Sequence, residues 1–403
     1  MLKAIGIITE YNPFHNGHMH QIELVKSKFP GYPVICVMSG NFVQRGEPAI
    51  WNKFVRAKAA LLCGADMIIE LPLPFATASA EYFAYYGVSL LNALGFVEYL
   101  CFGSEEGNSE KLEKAAQILV LEPYNFKAEL KARLLLGNSY PTARHMALEH
   151  LLPELSGVLN KPNNILGIEY IKAIMRLGSN IKPFTIKREG EGYHSIDYTK
   201  ELSSAKAIRE ALRAGKRNLS GIPEKLKPLY DEHINAGDFH DFDRLSPILQ
   251  YIVKTGPPEK LAGILDIDEG LHNRIIDILG TNRLISESLN ALKSKRYTYT
   301  RLSRGLLHIL LDITKEDFNK FYESGPHYVR VLGFRKEWES LFSCINTYSG
   351  LPIITNLKNY QASLTLMGKE LLEKEIASTD IYNLSGINAA PKNSEFSESI
   401  VVV

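Results

Sequence analysis

The stretch Glu10-Tyr11-Asn12-Pro13-Phe14-His15-Asn16-Gly17-His18 decides how this chain is read, because it sets a His-x-Gly-His quartet between a strand and a helix. Residues 3–9 before it form a short β-branched run that predicts a buried strand. Residues 18–29 after it have helical texture. At this chain's composition the quartet is expected roughly 0.02 times by chance, before its strand–helix setting is required. A parallel sheet presents ligands at the carboxyl ends of its strands, and a helix amino terminus offers unpaired N–H groups to an anion. Gly17 would let a flat base approach the backbone closely. His15 and His18, on one turn, could donate to phosphate oxygens where charge builds during a displacement at phosphorus. The plainer alternative makes them loop and helix-cap residues.

Working outward, strand patterns at residues 34–38, Met67–Leu71 and 99–102 alternate with helical patterns at 53–63 and 79–94. This alternation implies βαβ units and a parallel sheet with right-handed crossovers. Helices then dominate to residue 176, followed by a strand at 182–187 and a helix opening at Ser203-Ser204. Beyond about residue 221 helical stretches take over (225–233, 245–254, 284–293 and 302–313), with one short strand at 328–332. The expected architecture is α/β: a Rossmann-like catalytic domain over residues 1–220, then a mostly α-helical domain over 221–403.

Late in the first domain, Ser203-Ser204-Ala205-Lys206-Ala207-Ile208-Arg209 begins a helix. Its hydroxyls could bind phosphate beside free N–H groups, and Arg209 could clamp pyrophosphate. Alone, it reads more simply as a Ser-capped helix with surface charges. No GxGxxG, GxxxxGK[ST], HExxH or GxSxG occurs, so classical dinucleotide, P-loop, zinc-protease and serine-hydrolase readings fail.

The two motifs resemble the HIGH and ISTxxR-type signatures of the nucleotidyltransferase and class I aminoacyl-tRNA synthetase superfamily. Further stretches narrow the likeness: residues 39–48 (SGNFVQRGEP), 64–72 (GADMIIELP), Phe102-Gly103-Ser104-Glu105 and 162–170 (PNNILGIEY). Together they closely resemble the bacterial tRNA(Met) cytidine acetate ligase family, through about residue 215 and more loosely beyond. The resemblance implies a HIGH-type nucleotidyltransferase fold. It also implies activation of acetate by ATP to acetyl-adenylate, then acetylation of the wobble cytidine of elongator tRNA(Met). Carried onto this chain, Ile7, Ile8, Thr9, Met19 and His20 join the quoted loop as the ATP-binding segment. Gly103, Arg188 and either Asn163 or Asn164 complete the nucleotide site; Asn163 is favoured as nearer the helix start. His15, His18, Ser203, Ser204 and Arg209 would carry catalysis. Mg2+ is expected on the ATP phosphates, with no metal site built of protein side chains. The carboxyl tail from Asn388 departs from the pattern, being polar and then ending in Val-Val-Val.

Lys+Arg number 46 against Asp+Glu 45, which excludes a polycationic nucleic-acid coat but permits a local basic face. Such a face is suggested by Lys293, Lys295, Arg296, Arg301 and Arg304, interleaved with Tyr297 and Tyr299, which could neutralise RNA phosphates and stack on an unpaired base. A solvated helix start explains the same residues. Arg45, Lys53 and Arg56 border the second loop, as ligand contacts or as surface charges on a helix. Glu10 and His194 are candidate bases for the cytidine amine. Four scattered cysteines, without a CxxC pair, argue against a disulfide scaffold or zinc ribbon. No apolar run reaches the ~20 residues of a membrane span, and nothing resembles a signal peptide, so a soluble cytoplasmic protein is expected. A small-molecule nucleotidyltransferase, of the phosphopantetheine or nicotinate mononucleotide kind, is the alternative that uses no RNA. A nucleotide-binding module without chemistry is a third, which the paired histidines oppose.

Overall fold

A computed structural model describes residues 2–403, apart from 189–202, 218, 269, 295, 359 and 389. Its strands are β1 (Ala4–Thr9), β2 (Val34–Ser39), β3 (Phe42–Val43), β4 (Glu47–Pro48), β5 (Met67–Leu71), β6 (Val97–Ser104), β7 (Lys182–Lys187), β8 (Val329–Phe334), β9 (Ile353–Ile354) and β10 (Val401–Val402). The main sheet runs in the order β10-β8-β5-β2-β1-β6-β7, with β9 paired to β8, while β3 and β4 form a separate hairpin. From β5 to β7 all neighbours are parallel, and β8 joins β5 antiparallel. The chain leaves β1 toward β2 on one side and later returns to β6 on the other. The crevice of the sheet therefore opens where β1 meets β6, at its carboxyl edge.

Strands such as β2 (VICVMS) are buried along their whole length, which is why they read as unbroken apolar runs rather than alternating ones. Successive residues feed opposite layers. Ile8, Val37, Ile69 and Leu100 pack into one core, and Ile7, Cys36, Ile68 and Cys101 into the other. A third core, around Leu249, Ile275, Leu289 and Leu306, belongs to the helical part and also takes in Phe42, Leu73 and Tyr382.

The division expected near residue 220 is not a break in the sheet. β8, β9 and β10 come from beyond it, and Leu332 and Tyr230 lie in the same core as Ile5 and Trp51. A cluster of buried charges makes the same join. Lys53, in the first turn of helix α2 (Lys53–Leu62), is fully buried and lies 2.7 Å from Glu70 on β5, 2.6 Å from Glu395 of the tail and 3.7 Å from Glu375 on the helix Leu366–Asn383. Arg330 of β8 completes the cluster, 3.0 Å from Glu395 and 3.4 Å from Glu70. Burial alone would lower the Lys53 ammonium, but Glu395, Glu70 and Glu375 outweigh it and hold the group up at about 12. Burial, and then Glu70, lift the Glu375 carboxyl well above the usual carboxylate range. Two cations thus face three acidic side chains, and raising the Glu375 carboxyl moves the cluster toward charge balance. The tail, whose role the sequence left open, supplies one member of this cluster and the edge strand β10.

Removing one partner from such a cluster strands the others in a low-dielectric interior. Lys53→Met is expected to lower unfolding stability by about 3–5 kcal/mol in urea titrations. A loss below about 1 kcal/mol would mean that the cluster behaves like exposed ion pairs.

Candidate functional site

The first motif sits at the carboxyl end of β1 and opens helix α1 (Asn16–Lys28). His15 is its N-cap. The His15 Nδ1 accepts from the Gly17 N–H at 3.1 Å, and the His18 Nδ1 accepts from the His15 N–H at 3.3 Å. The rings stack with centroids 3.7 Å apart. With both Nδ1 atoms committed as acceptors, the neutral rings carry their protons on Nε2. Burial, with Arg188 and Arg209 nearby, pushes the His15 imidazole down to about 3. His18 is held well below its ordinary value by burial and then by His15 and Arg188. Both histidines are therefore neutral donors throughout the physiological range. A Cβ on Gly17 would stand 3.0 Å from His15 Cε1, so the quartet's glycine also makes room for the ring.

Other residues of the loop divide by role. Ile7, Tyr11, Pro13 and Phe14 are buried beneath it, with the Tyr11 and Phe14 rings 4.9 and 5.4 Å from His18. The Asn12 Oδ1 accepts from the Ile50 N–H at 2.8 Å, and the Glu10 carboxylate accepts from the Gln44 N–H at 2.7 Å. Burial raises the Glu10 carboxyl above its usual value. Ile8 lies in the core on the sheet's other face, Thr9 is half-buried and Met19 packs against the core. His20 is exposed on α1. The Asn16 backbone N–H and side-chain amide donate to the carbonyls of Gly221 and Ser220, and Gly221 packs against Ser203. That contact chain joins the first motif to the second.

In the second motif, Ser203 is buried and Ser204 caps the helix Ala205–Arg213, its hydroxyl accepting from the Ala207 N–H at 3.2 Å. Arg209 donates to the Asn12 carbonyl at 2.7 Å and pairs with Glu47 at 3.0 Å, while its Nε is buried without a partner. The guanidinium thus reaches from the second motif into the first.

Gly103 and Arg188 flank the crevice at the ends of β6 and β7. The Arg188 N–H donates to the Ser104 carbonyl at 2.9 Å, and its side chain lies against Gly103, where a Cβ would stand 3.2 Å from Arg188 Cγ. The two asparagines differ. Asn164 is buried, its Oδ1 accepting from the Glu105 and Glu106 N–H groups and its Nδ2 donating to the Val158 carbonyl. Asn163 is half-buried and donates from Nδ2 to Glu105 at 2.7 Å.

The sequence missed the floor of the site. Arg56, expected as a helix-surface charge or a ligand contact, is fully buried and donates to the carbonyls of Glu10, Gly40 and Trp51. It pins the loop after β1 to the loop after β2. A signal existed: Lys53 and Arg56 lie three apart in a helix whose other residues, Lys58 aside, are apolar, and Glu70 interrupts an apolar strand. In the basic stretch, Lys293 and Arg296 are exposed, whereas Arg301 pairs with Asp268 at 2.9 Å. Arg304 is 7% exposed and bound to Asp266 at 2.8 Å, so the phosphate contact expected of it gives way to a structural ion pair. His194 and Lys295 lie outside the described residues. Among the described residues no group of three or more His, Cys, Asp or Glu could hold a metal ion, and no helix is long and apolar enough to cross a membrane.

The chain is similar to known proteins over nearly its whole length. Residues 2–397 match the family described as HIGH Nucleotidyl Transferase. A tRNA(Met) cytidine acetate ligase of Halothermothrix orenii is 40% identical over 402 residues, covering 95% of each chain. The crystal structure of Thermotoga maritima TmcAL in its apo form I has a TM-score of 0.94 at 31% identity, covering 100% of both chains. The same protein bound with alpha-thio ATP gives 0.92 at 31% identity, covering 100% of this chain and 99% of that one.

Below the ordinary histidine value of 6.5, the unfolded chain takes up protons that folded His15 refuses until about pH 3. Stability from this group is therefore present above that value and lost as pH falls through it. His15→Gln, which cannot titrate, is expected to lose less stability than the parent between pH 7 and pH 5, measured by urea unfolding. Equal losses would mean that His15 is charged, or free to charge, in the folded chain.

Proposed function

This chain belongs to the HIGH nucleotidyl transferase family and, within it, to the tRNA(Met) cytidine acetate ligases, and on that footing we propose how its residues divide two half-reactions. ATP lies along the carboxyl edge of the sheet, over residues 7–20, with its phosphates at the start of α1. Gly103, Asn163 and Arg188 hold the nucleoside end. Asn163 is preferred because the buried Asn164 has both ends of its amide committed, to the Glu105 and Glu106 N–H groups and to the Val158 carbonyl. A carboxylate oxygen of acetate attacks the α-phosphorus, and the bond to the β-phosphate oxygen breaks, releasing pyrophosphate. No protein nucleophile is required, so catalysis is positioning plus stabilisation of charge. The Nε2–H groups of His15 and His18 donate to the α-phosphoryl oxygens as charge grows. Arg209 receives the departing phosphates beside the N-cap Ser204. Mg2+ would be carried on the phosphates and shield their charge.

In the second half-reaction the exocyclic amine of the wobble cytidine of elongator tRNA(Met) attacks the acetyl carbon, AMP leaves, and the amine gives up a proton. Glu10, whose carboxyl is raised by burial, is the described candidate to take it. Lys293 and Arg296, exposed on the helical part, are offered to RNA phosphates. The protein would work in the cytoplasm, where ATP and tRNA meet.

One observation carries this proposal: two stacked imidazoles, each accepting a backbone N–H at Nδ1, at a helix start over the crevice of the sheet. Its test is ATP–pyrophosphate exchange with acetate, with and without bulk tRNA, followed by acetyl transfer to purified elongator tRNA(Met). Acetate-dependent exchange followed by transfer is expected. Exchange that ignores acetate and responds to phosphopantetheine or nicotinate mononucleotide would replace this reading with the small-molecule one.

His15→Ala or His18→Ala should lower single-turnover adenylate formation about 10²-fold, near 3 kcal/mol, with a much smaller change in ATP affinity. Equal losses in rate and binding would give the histidines a ground-state role only. Arg209→Ala should weaken ATP while leaving AMP binding nearly unchanged, and Lys should substitute poorly. Matching losses for ATP and AMP would remove Arg209 from the pyrophosphate end.

A further inference from the structure

A cleft of about 380 Å³ lies between the helix Ala205–Arg213, the β3–β4 hairpin and the helix Tyr299–Leu311. It is within the size range of small-molecule sites, about 300–1,000 Å³. Arg209 lines it, and the same guanidinium bonds to the Asn12 carbonyl of the first motif. The cleft and the histidine loop therefore share a wall. The hairpin is fixed against the helical part: Gly46 has a φ of +78°, a Cβ there would stand 2.4 Å from the Arg304 nitrogen, and the Ser303 hydroxyl donates to the Gly46 carbonyl at 2.8 Å. Any residue but glycine would push the two walls apart.

Resting on the function proposed above, we propose that this cleft receives the acceptor base, an unpaired pyrimidine of the RNA turned out of its stack. The lining fits a polar, uncharged ring better than a bare phosphate, because four Lys or Arg side chains are matched by four Asp or Glu. Ile285 and Leu289 give it an apolar side. Tyr299, 43% exposed at the first position of its helix, offers a ring on which a base can stack. Of the four carboxylates, Asp243 is committed to the Ser286 N–H and hydroxyl, Asp241 to the Asp243 N–H and Arg213, and Glu210 to Lys206. Glu47 is the one bound to Arg209, and so the one next to the first motif. A carboxylate is the natural acceptor for the exocyclic amine of cytosine, and Glu47 takes that part.

Two measurements test this assignment. Tyr299→Ala is expected to lose at least tenfold more in kcat/KM for tRNA acetylation than in acetate-dependent ATP–pyrophosphate exchange, and Tyr299→Phe to retain both. Glu47→Gln should follow Tyr299→Ala. Parallel losses in both half-reactions, or unchanged transfer, would overturn the cleft as the base site. Independently of acetate, an anticodon stem-loop carrying 5-iodocytidine at its wobble position should photocrosslink to Tyr299 in the unaltered protein, mapped by mass spectrometry. Adducts elsewhere, for instance among residues 293–297, would overturn it even if Tyr299→Ala failed to fold. Absence of acetate-dependent exchange in the parent, with the crosslink present, would overturn the proposed acetate chemistry and leave the cleft assignment standing.

Discussion

Two buried cations in the first turn of α2 hold this structure together. Arg56 takes backbone carbonyls from the loops that follow β1 and β2. Lys53, three residues before it, takes carboxylates from β5, the helix Leu366–Asn383 and the tail. Between them they fix the ends of three adjacent strands at the carboxyl edge of the sheet. The constraint is severe because neither charge can reach water, so each must be met by the fold. Gly40 shows how little room remains: a Cβ there would stand 2.6 Å from carboxylate oxygens of both Glu375 and Glu70. The loop after β2 rests on the charge cluster, and the histidine loop rests on Arg56.

Much of the α/β unit was legible because its signals are local. The strand Met67–Leu71 and the strand Lys182–Lys187 are bounded as their sequences suggest, and the helices at residues 53–62 and 80–93 fall within a residue of the expected limits. The part played by residues beyond 220 was not legible. A strand pattern at residues 328–332 announces a strand but not its partner, and pairing with β5 spans some 260 residues of chain. The tail was equally opaque, since Glu395 looks like any surface acid until Lys53 and Arg330 are placed beside it. Charge in sequence likewise cannot separate a phosphate contact from an internal pair. Arg304 and Arg296 belong to the same basic run, yet one is buried against Asp266 and the other is exposed.

At the site, the sequence indicated which residue types converge but not their protonation. Imidazoles near phosphate suggest cations by default. Here the backbone N–H groups of Gly17 and His15 occupy both Nδ1 atoms, and two guanidinium groups lie close by. A charged ring would lose its hydrogen bond, lose hydration and meet like charge. Neutral donors of fixed direction follow from those costs. They can follow a change of charge on the substrate without a proton transfer of their own, which suits a displacement whose nucleophile and leaving group both come from small molecules.

The site therefore turns on two protons, one on the Nε2 of each ring, and ring nitrogens can report them directly. Nitrogen-15 NMR of histidine-labelled protein, with His15 and His18 assigned by substitution, should show both rings neutral, protonated on Nε2 and unchanged from pH 8 to pH 5. A titration of either ring centred near 6.5 or above, or a proton on Nδ1, would contradict the account.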